Sequence, residues 1–164
     1  MIKVLVVCMG NICRSPMAEG ALRRALQAAG LERWVAVDSA GTHSYHIGDP
    51  PDPRAQNTAR QRGFDIGELR GRQVADLDFE KFDYILTMDS SNLSTLKRRA
   101  PARAQHKLRL FLSYSRKYPN LDVPDPYYGA TQGFEDVMDM IEDGVAGLLK
   151  ELRHALEVRQ DAAG

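Results

Sequence analysis

A nearly unbroken run of β-branched residues opens the chain and restricts what it can fold into. Residues 2–7 read Ile-Lys-Val-Leu-Val-Val, which is typical of a strand buried on both faces of a parallel sheet. Neighbouring parallel strands cannot be joined by a tight hairpin and need a crossover, usually a helix. The run therefore predicts a fold in which strands and helices alternate.

Local signals along the rest of the chain fit this alternation. Ser15 is expected to cap the first helix, with Pro16 at its first position, and Gly30 is expected to end it. A long loop rich in Gly, Pro and His follows the second strand over residues 41–53. The further elements are predicted as strands over 35–37, 82–87 and 108–111, and as helices over 54–62, between Asp89 and Pro101, and from Phe134 to Leu156.

This order of elements predicts an α/β fold, a three-layer sandwich with a central four-stranded parallel sheet flanked by helices. The 164 residues fit one domain of ordinary size. We assign residues 1–158 to that domain and residues 159–164 to a polar C-terminal tail.

The composition argues against several classes of function. Twenty-two basic residues balance 22 acidic ones, so no global field favours nucleic acid or an anionic membrane. No apolar stretch approaches the length of a membrane span, so membrane insertion is not expected. The chain has two cysteines, too few for a disulfide framework, which favours a reducing compartment such as the cytoplasm.

The segment between the first strand and the first helix, Cys8 to Ser15, carries the residues that suggest chemistry. It reads Cys-Met-Gly-Asn-Ile-Cys-Arg-Ser, follows the carboxyl end of a strand, and enters a helix N-terminus, where backbone N–H groups favour an anion. Gly10 and Asn11 tolerate the positive φ angles that a loop wound around an oxyanion needs. The helix N-terminus and Arg14 favour the thiolate of Cys8, which is the nucleophilic form.

Two other residues add to this interpretation, and two alternatives compete with it. The planar guanidinium of Arg14 can hold two phosphate oxygens, and the Ser15 hydroxyl can donate a hydrogen bond to the Cys8 sulfur. Cys8 could instead be a small buried residue that ends a strand. The pair Cys8 and Cys13 could also form half of a zinc site, but the four histidines supply no matching cluster, and no metal is expected.

With Pro16, the loop resembles the signature of the low-molecular-weight protein tyrosine phosphatases. Five further blocks resemble the family in the family's order: Asp38–Thr42, Pro51–Ala55, Arg72–Gln73, Phe82–Asp89 and Asp125–Gly129. The resemblance implies a protein-tyrosine phosphatase that works through a cysteinyl-phosphate intermediate without a cofactor. It also implies a phosphate-binding loop between the first strand and the first helix.

The resemblance assigns roles to individual residues. Cys8, Arg14, Asp125 and Ser15 are the implied catalytic residues, with Asp125 as the general acid in a loop stiffened by two prolines. The implied substrate-binding residues are the loop positions Met9, Gly10, Asn11, Ile12 and Cys13 and the pocket-wall residues Tyr45, Tyr127 and Tyr128.

Asn11 and Ser39 resemble the family's hydrogen-bond network that keeps the loop wound. Several members place a His four residues before the Gln of the Arg-Gln pair, where this sequence has Leu69. We therefore expect the brace through Ser39 to differ from those members while the chemistry is kept.

Cys13 lies in the same loop as Cys8. If Cys8 is oxidised to a sulfenic acid, Cys13 can capture it as a reversible disulfide and so prevent irreversible oxidation. The alternative is that Cys13 only packs.

Three rival functions share parts of this pattern. An arsenate reductase of the same fold needs a further cysteine in a later segment, and none follows Cys13. A protein-arginine phosphatase resembles this loop but carries Thr at the position of Ile12. A phosphopeptide-binding module without catalysis should lack the nucleophile or the acid, but Cys8 and Asp125 are both present. The expected partner is a phosphotyrosine-bearing protein, such as a tyrosine kinase, and the expected state is a monomer or a weak dimer.

Overall fold

A four-stranded parallel sheet forms the centre of the molecule. The computed structural model describes residues 1–163. The strands are β1 (Ile2–Cys8), β2 (Val35–Gly41), β3 (Tyr84–Thr87) and β4 (Leu108–Leu110). Their order across the sheet is β2-β1-β3-β4, and every neighbouring pair is parallel. The predicted parallel sheet is confirmed.

Five α-helices cover the two faces of this sheet. They are α1 (Arg14–Ala28), α2 (Pro53–Gln61), α3 (Asp78–Lys81), α4 (Ser90–Arg99) and α5 (Thr131–Ala163). Helices α1, α2 and α5 bury their apolar side chains on one face, whereas α3 and α4 do so on the other. The predicted three-layer arrangement is therefore also confirmed. Two short 3₁₀ segments, Ala102–Lys107 and Phe111–Tyr114, flank β4.

Strand β1 supplies apolar side chains to both layers of helices. Val4, Val6 and Cys8 belong to the apolar cluster that includes α1 and α5, while Leu5 and Val7 belong to the cluster under α4. Successive side chains of a strand point to opposite faces, so both faces of a central strand must be apolar. This explains why the β1 sequence has no alternation of polar and apolar residues.

The start of α1 differs from the sequence expectation. The first helical residue is Arg14, and Cys13 occupies the N-cap position without a side-chain hydrogen bond to the helix. Ser15, expected as the cap, lies inside the first turn and is fully buried. The prediction of a Ser15 cap was wrong because the hydroxyl of Ser15 is used inside the loop that precedes the helix.

The C-terminal helix is longer than its apolar stripe suggests. Helix α5 has 33 residues, and residues 159–163 of the predicted polar tail continue it with exposed side chains. Gly164, the last residue of that tail, lies outside the described residues. Over residues 1–163, no helix has the length and apolarity needed to cross a membrane.

The strand order places the segment after β1 at the position where ligands bind in open α/β sheets. The chain passes from β1 to β2 on one side and later crosses to β3 on the other side of β1. Such a reversal opens a crevice at the carboxyl ends of the strands. Residues 9–13 leave β1 there and lead directly into α1.

A glycine on α5 provides a test of the packing between α5 and the segment after β4. Alanine at a helical glycine normally adds about 1 kcal/mol of stability. A Cβ at Gly147, however, would overlap the backbone carbonyl of Tyr114, which cannot easily move. We expect Gly147→Ala to lower the free energy of unfolding by about 2 kcal/mol, measured by urea denaturation.

Gly133 on the same helix is the matched control. A Cβ there would lie 3.7 Å from the Cβ of Pro126, an ordinary contact. Gly133→Ala should therefore leave the stability unchanged or slightly higher. Equal effects of the two substitutions would contradict a close contact between Gly147 and the carbonyl of Tyr114.

Candidate active site

A cavity of about 270 Å³ opens at the carboxyl edge of the sheet above residues 8–14. It contains most of the residues that the sequence singled out. The lining residues are Cys8, Met9, Gly10, Ile12, Cys13, Arg14, Tyr45, His46, Asp125, Tyr127 and Tyr128. The remaining candidates do not line it and are buried: Asn11 within the loop, and Ser15 and Ser39 beneath it.

The loop after β1 is wound so that its carbonyls are tied to the segment 42–52. Asn11 adopts a left-handed conformation with φ of +58°, which asparagine tolerates better than most residues. With these carbonyls bonded to another segment, a loop of this kind offers its N–H groups to an anion. The tying bonds are Thr42 N to Cys8 O at 2.9 Å, His43 N to Met9 O at 3.0 Å and Asp52 N to Ile12 O at 2.8 Å.

The carboxamide of Asn11 fixes the direction of the hydrogen bonds beneath the loop. Its Oδ1 accepts from the backbone N–H of Arg72 at 3.0 Å, so its Nδ2 must be the donor to Ser15 Oγ at 2.7 Å and Ser39 Oγ at 2.9 Å. Ser15 Oγ, which accepts from Asn11 and keeps its own proton, lies 3.0 Å from the Cys8 sulfur, within hydrogen-bond distance. The backbone N–H of Asn11 also donates to that sulfur, at 3.3 Å.

The network ends in a buried carboxylate that the sequence did not reveal as functional. Ser39 donates to Glu19 Oε1 at 2.7 Å, and Arg23 pairs with Glu19 Oε2 at 2.6 Å. Burial raises the pKa of Glu19, while the Ser39 hydrogen bond and Arg23 oppose this rise. Within α1, Glu19 has no sequence signal that separates it from an ordinary surface glutamate.

Leu69, at the position of the family's His, packs against the apolar core.

Arg14 is held by groups from two segments, the residue Asp89 after β3 and the loop of Val123 and Asp125, although it is almost completely buried. Its Nη1 donates to Asp89 Oδ2 at 2.6 Å and to the carbonyl of Val123 at 2.9 Å, and its Nη2 lies 3.6 Å from Asp125 Oδ2. Burial lowers the pKa of Arg14, but Cys8 and Asp89 outweigh burial and raise it. The guanidinium is therefore charged and fixed at the base of the cavity.

Asp89 has two roles, of which the sequence indicated one. Its Oδ1 accepts from the N–H of Asn92 at 2.8 Å and caps α4, as expected. Its other oxygen orients Arg14. The second role could not be found from sequence spacing because 75 residues separate the two partners.

Asp125 is placed beside Arg14 by a loop that is anchored on both sides. Before it, the N–H of Val123 donates to the carbonyl of Met88, the residue that follows β3, at 2.8 Å. After it, the N–H of Tyr127 donates to Asp125 Oδ1 at 3.0 Å. The other carboxylate oxygen faces the guanidinium, so a proton on Asp125 can be directed into the cavity.

Aromatic rings form the walls of the cavity. Tyr127 and Tyr128 meet edge to face with ring centroids 4.9 Å apart, and Tyr45 stacks on His43 at 5.4 Å. His46 was not among the predicted site residues. Its ring lies close over Gly10, where an added Cβ would approach Cδ2 to 3.1 Å. Flat walls of this kind favour a flat ring next to the loop of residues 8–14, which we call the anion loop.

Cys13 differs chemically from Cys8 although both line the cavity. Burial, and then Asp52, raise the pKa of the Cys13 thiol far above its ordinary value. Cys13 is therefore a neutral thiol at physiological pH. Both cysteines are free, and within residues 1–163 no group of His, Cys, Asp and Glu side chains is arranged to hold a metal ion.

Comparison with known proteins indicates one family along nearly the whole chain. The family model described as low molecular weight phosphotyrosine protein phosphatase matches residues 3–158. A putative low molecular weight protein-tyrosine-phosphatase from Synechocystis is 44% identical over 92% of this chain and 96% of its own length. YfkJ from Bacillus subtilis, a low molecular weight protein-tyrosine-phosphatase, is 40% identical over 93% and 97%.

Solved structures agree with the sequence comparison. A protein tyrosine phosphatase from Entamoeba histolytica superposes with a TM-score of 0.91 at 37% identity, covering 94% of this chain and 99% of that one. Wzb from Vibrio vulnificus, solved in complex with benzylphosphonate, gives a TM-score of 0.80 at 30% identity, covering 92% and 98%.

Substitution of Asp89 tests whether this residue orients Arg14. Asp89→Ala removes a helix cap and leaves a buried guanidinium without its carboxylate, so we expect it to lower the free energy of unfolding by about 3 kcal/mol. It should also weaken the binding of inorganic phosphate about tenfold, because Arg14 loses its fixed orientation. Calorimetric titration with phosphate and urea denaturation measure the two effects.

Asp122 provides the matched control for Asp89. It caps the same helix by accepting from Ser90 N and Oγ at 3.0 and 2.7 Å, but none of its hydrogen bonds involves Arg14. Asp122→Ala should therefore cost about 1 kcal/mol and leave phosphate affinity unchanged. A similar loss of phosphate binding in both variants would contradict the role given to Asp89.

Proposed function

This chain belongs to the family of low molecular weight phosphotyrosine protein phosphatases, and on that premise we propose that it hydrolyses phosphotyrosine with Cys8 as the nucleophile. The observation that carries the proposal is the pair of groups within hydrogen-bond distance of the Cys8 sulfur. The N–H of Asn11 donates to it at 3.3 Å, and the Ser15 hydroxyl, 3.0 Å away, has a proton that it can donate. A thiolate only accepts hydrogen bonds, so these two neighbours suit the form of Cys8 that attacks phosphorus.

In the first step, the Cys8 thiolate attacks the phosphorus in line with the leaving phenol oxygen. The loop N–H groups and Arg14 bind the three equatorial oxygens and stabilise the charge that develops on them. Arg14 is suited to this because Asp89 and Val123 hold its Nη1. Its second terminal nitrogen, Nη2, is left directed at the cavity.

Asp125 protonates the leaving oxygen as the S–P bond forms and the P–O bond breaks. Its carboxyl lies at the cavity wall, 3.6 Å from Arg14. The resulting cysteinyl phosphate is then hydrolysed by water, with Asp125 as the base that removes the proton. Ser15 stabilises the departing thiolate through its hydrogen bond to the sulfur.

The cavity walls support an aryl phosphate as the substrate. Tyr45, Tyr127 and Tyr128 line the cavity and offer apolar faces to a phenyl ring. The relative Wzb was solved with benzylphosphonate, in which an aromatic ring is one carbon from the phosphonate group. We propose that the ring belongs to a phosphotyrosine of another protein, such as a tyrosine kinase.

The compartment and the oligomeric state form part of the same proposal. Both cysteines are free thiols, which suits a reducing compartment such as the cytoplasm. We propose that the enzyme acts there as a monomer or weak dimer.

Turnover of p-nitrophenyl phosphate and phosphotyrosine tests the roles of Cys8 and Asp125. Cys8→Ser should abolish turnover, because a serine hydroxyl is a far weaker nucleophile than a thiolate. Asp125→Ala should lower kcat/KM for phosphotyrosine about 100-fold, since the leaving phenolate loses its proton donor. Retained turnover in Cys8→Ser would overturn the proposed mechanism.

Phosphoarginine, assayed beside phosphotyrosine, separates this function from its nearest rival. Ile12 lines the cavity with an apolar side chain, whereas the arginine phosphatases carry Thr at this position. We expect phosphotyrosine to be the better substrate. Faster hydrolysis of phosphoarginine would assign the chain to the rival activity.

We also propose that Cys13 protects Cys8 from irreversible oxidation. Peroxide converts the Cys8 thiolate to a sulfenic acid, and the Cys13 thiol then displaces hydroxide, which leaves as water and forms the Cys8–Cys13 disulfide. Because burial and Asp52 raise the pKa of Cys13, it is a poor nucleophile. Capture should therefore be slow at neutral pH and become faster as the pH rises.

Exposure to peroxide followed by dithiothreitol tests this protection. Wild-type activity should return after reduction, and Cys13→Ala should lose most of its activity permanently, because its sulfenic acid is oxidised further. Equal recovery in both proteins would show that Cys13 only packs in the core.

A further inference from the structure

Arg54, the second residue of α2, connects the loop that bears Asp125 to the rest of the active site. Its Nη2 donates to the carbonyl of Tyr127 at 2.9 Å, and its Nη1 donates to the carbonyl of Gly129 at 3.3 Å. Its guanidinium also lies 4.7 Å from the ring centroid of Phe134, near the start of α5. Arg54 therefore contacts three residues that follow Asp125.

Asp52 holds Arg54 in place and connects it to the anion loop. Its carboxylate accepts from Arg54 Nε at 3.1 Å and Nη2 at 3.0 Å. Burial raises the pKa of Asp52, but the hydrogen bonds from Arg54 outweigh it and lower the pKa, so the pair is ionised. The N–H of Asp52 donates to the carbonyl of Ile12 at 2.8 Å. Asp52 and Arg54 thus bridge the anion loop and the Asp125 loop.

The backbone of Tyr127 connects Arg54 to the carboxylate of Asp125. Its carbonyl accepts from Arg54, and its N–H donates to Asp125 Oδ1. A shift of Tyr127 would therefore change the direction in which Asp125 presents its second oxygen to the cavity. General acid catalysis depends on that direction, because the proton must lie within hydrogen-bond reach of the leaving oxygen.

We propose that Arg54 is a positioning residue that keeps Asp125 aligned with the leaving group. The inference rests on the proposed role of Asp125 as the general acid. Arg54 does not touch the reacting atoms; it acts through Tyr127 and Gly129. Its loss should therefore lower kcat/KM, which reports the steps up to departure of the leaving group, only for substrates whose leaving group needs a proton.

The test measures kcat/KM for aryl phosphates whose leaving phenols differ in acidity: p-nitrophenyl, phenyl and 4-methylphenyl phosphate. Nitrophenolate leaves readily without a proton, whereas the other two phenolates need one. We expect Arg54→Met to reduce kcat/KM about tenfold for phenyl and 4-methylphenyl phosphate. For p-nitrophenyl phosphate it should remain within about twofold of wild type. A uniform reduction across the three substrates would overturn the proposal.

Arg62 supplies a matched control on the same helix surface. It lies just after α2 and pairs with Glu135 and Asp139 of α5 at 2.8 and 3.0 Å, and its hydrogen bonds do not reach the loop of residues 122–130. Arg62→Met should weaken the α2–α5 contact without changing the relative rates of the three substrates. If it changed them as Arg54→Met does, general loosening of α5 would explain both effects and the positioning role would be wrong.

Two further variants complete the test. Arg54→Lys keeps one charged group, which can donate to one of the two carbonyls. Its loss of kcat/KM on phenyl and 4-methylphenyl phosphate should therefore lie between that of wild type and that of Arg54→Met. In an Asp125→Asn background, Arg54→Met should cause no further loss, because its effect passes through Asp125. Additive losses would overturn the positioning role. If Asp125→Asn alone left the substrate dependence unchanged, the proposed general acid itself would be wrong.

Discussion

The orientation of one carboxamide determines the shape of the anion site. Asn11 adopts a left-handed backbone conformation, and its side chain contacts three segments: the first turn of α1, strand β2 and the backbone at Arg72. A residue without both a donor and an acceptor at this place could not satisfy all of these groups at once. The wound loop and the placement of the Cys8 sulfur both depend on it.

Around this loop, the site is assembled from segments that all leave the sheet at its carboxyl edge. Asp89 follows β3 and orients Arg14, while the loop of Asp125 is tied to the same end of β3 by the hydrogen bond from Val123 to Met88. A parallel sheet makes this convergence possible, because every strand delivers its following segment to the same side. Cys8, Arg14 and Asp125 line one cavity although 117 residues separate Cys8 from Asp125.

Much of this arrangement follows from the sequence because it depends on local patterns. The apolar run of β1 and the Cys8–Ser15 loop fixed the fold class and the position of the site, and the resemblance to the family pointed to Asp125. The Ser15 cap was predicted incorrectly, since helix-start rules take no account of a hydroxyl that bonds to the carboxamide of the preceding loop and lies beside the Cys8 sulfur. Glu19 and the second role of Asp89 were missed because they depend on contacts between distant segments, which residue spacing cannot reveal.

The hydroxyl of Ser15 is the one neighbour of the Cys8 sulfur that can reverse its role. It lies 3.0 Å from the sulfur and already accepts from Asn11 Nδ2. A hydroxyl can donate to a thiolate and accept from a thiol, because it carries one proton and two lone pairs. Rotation of this single O–H bond therefore lets the loop serve either charge state of the sulfur, and no heavy atom of the loop has to move.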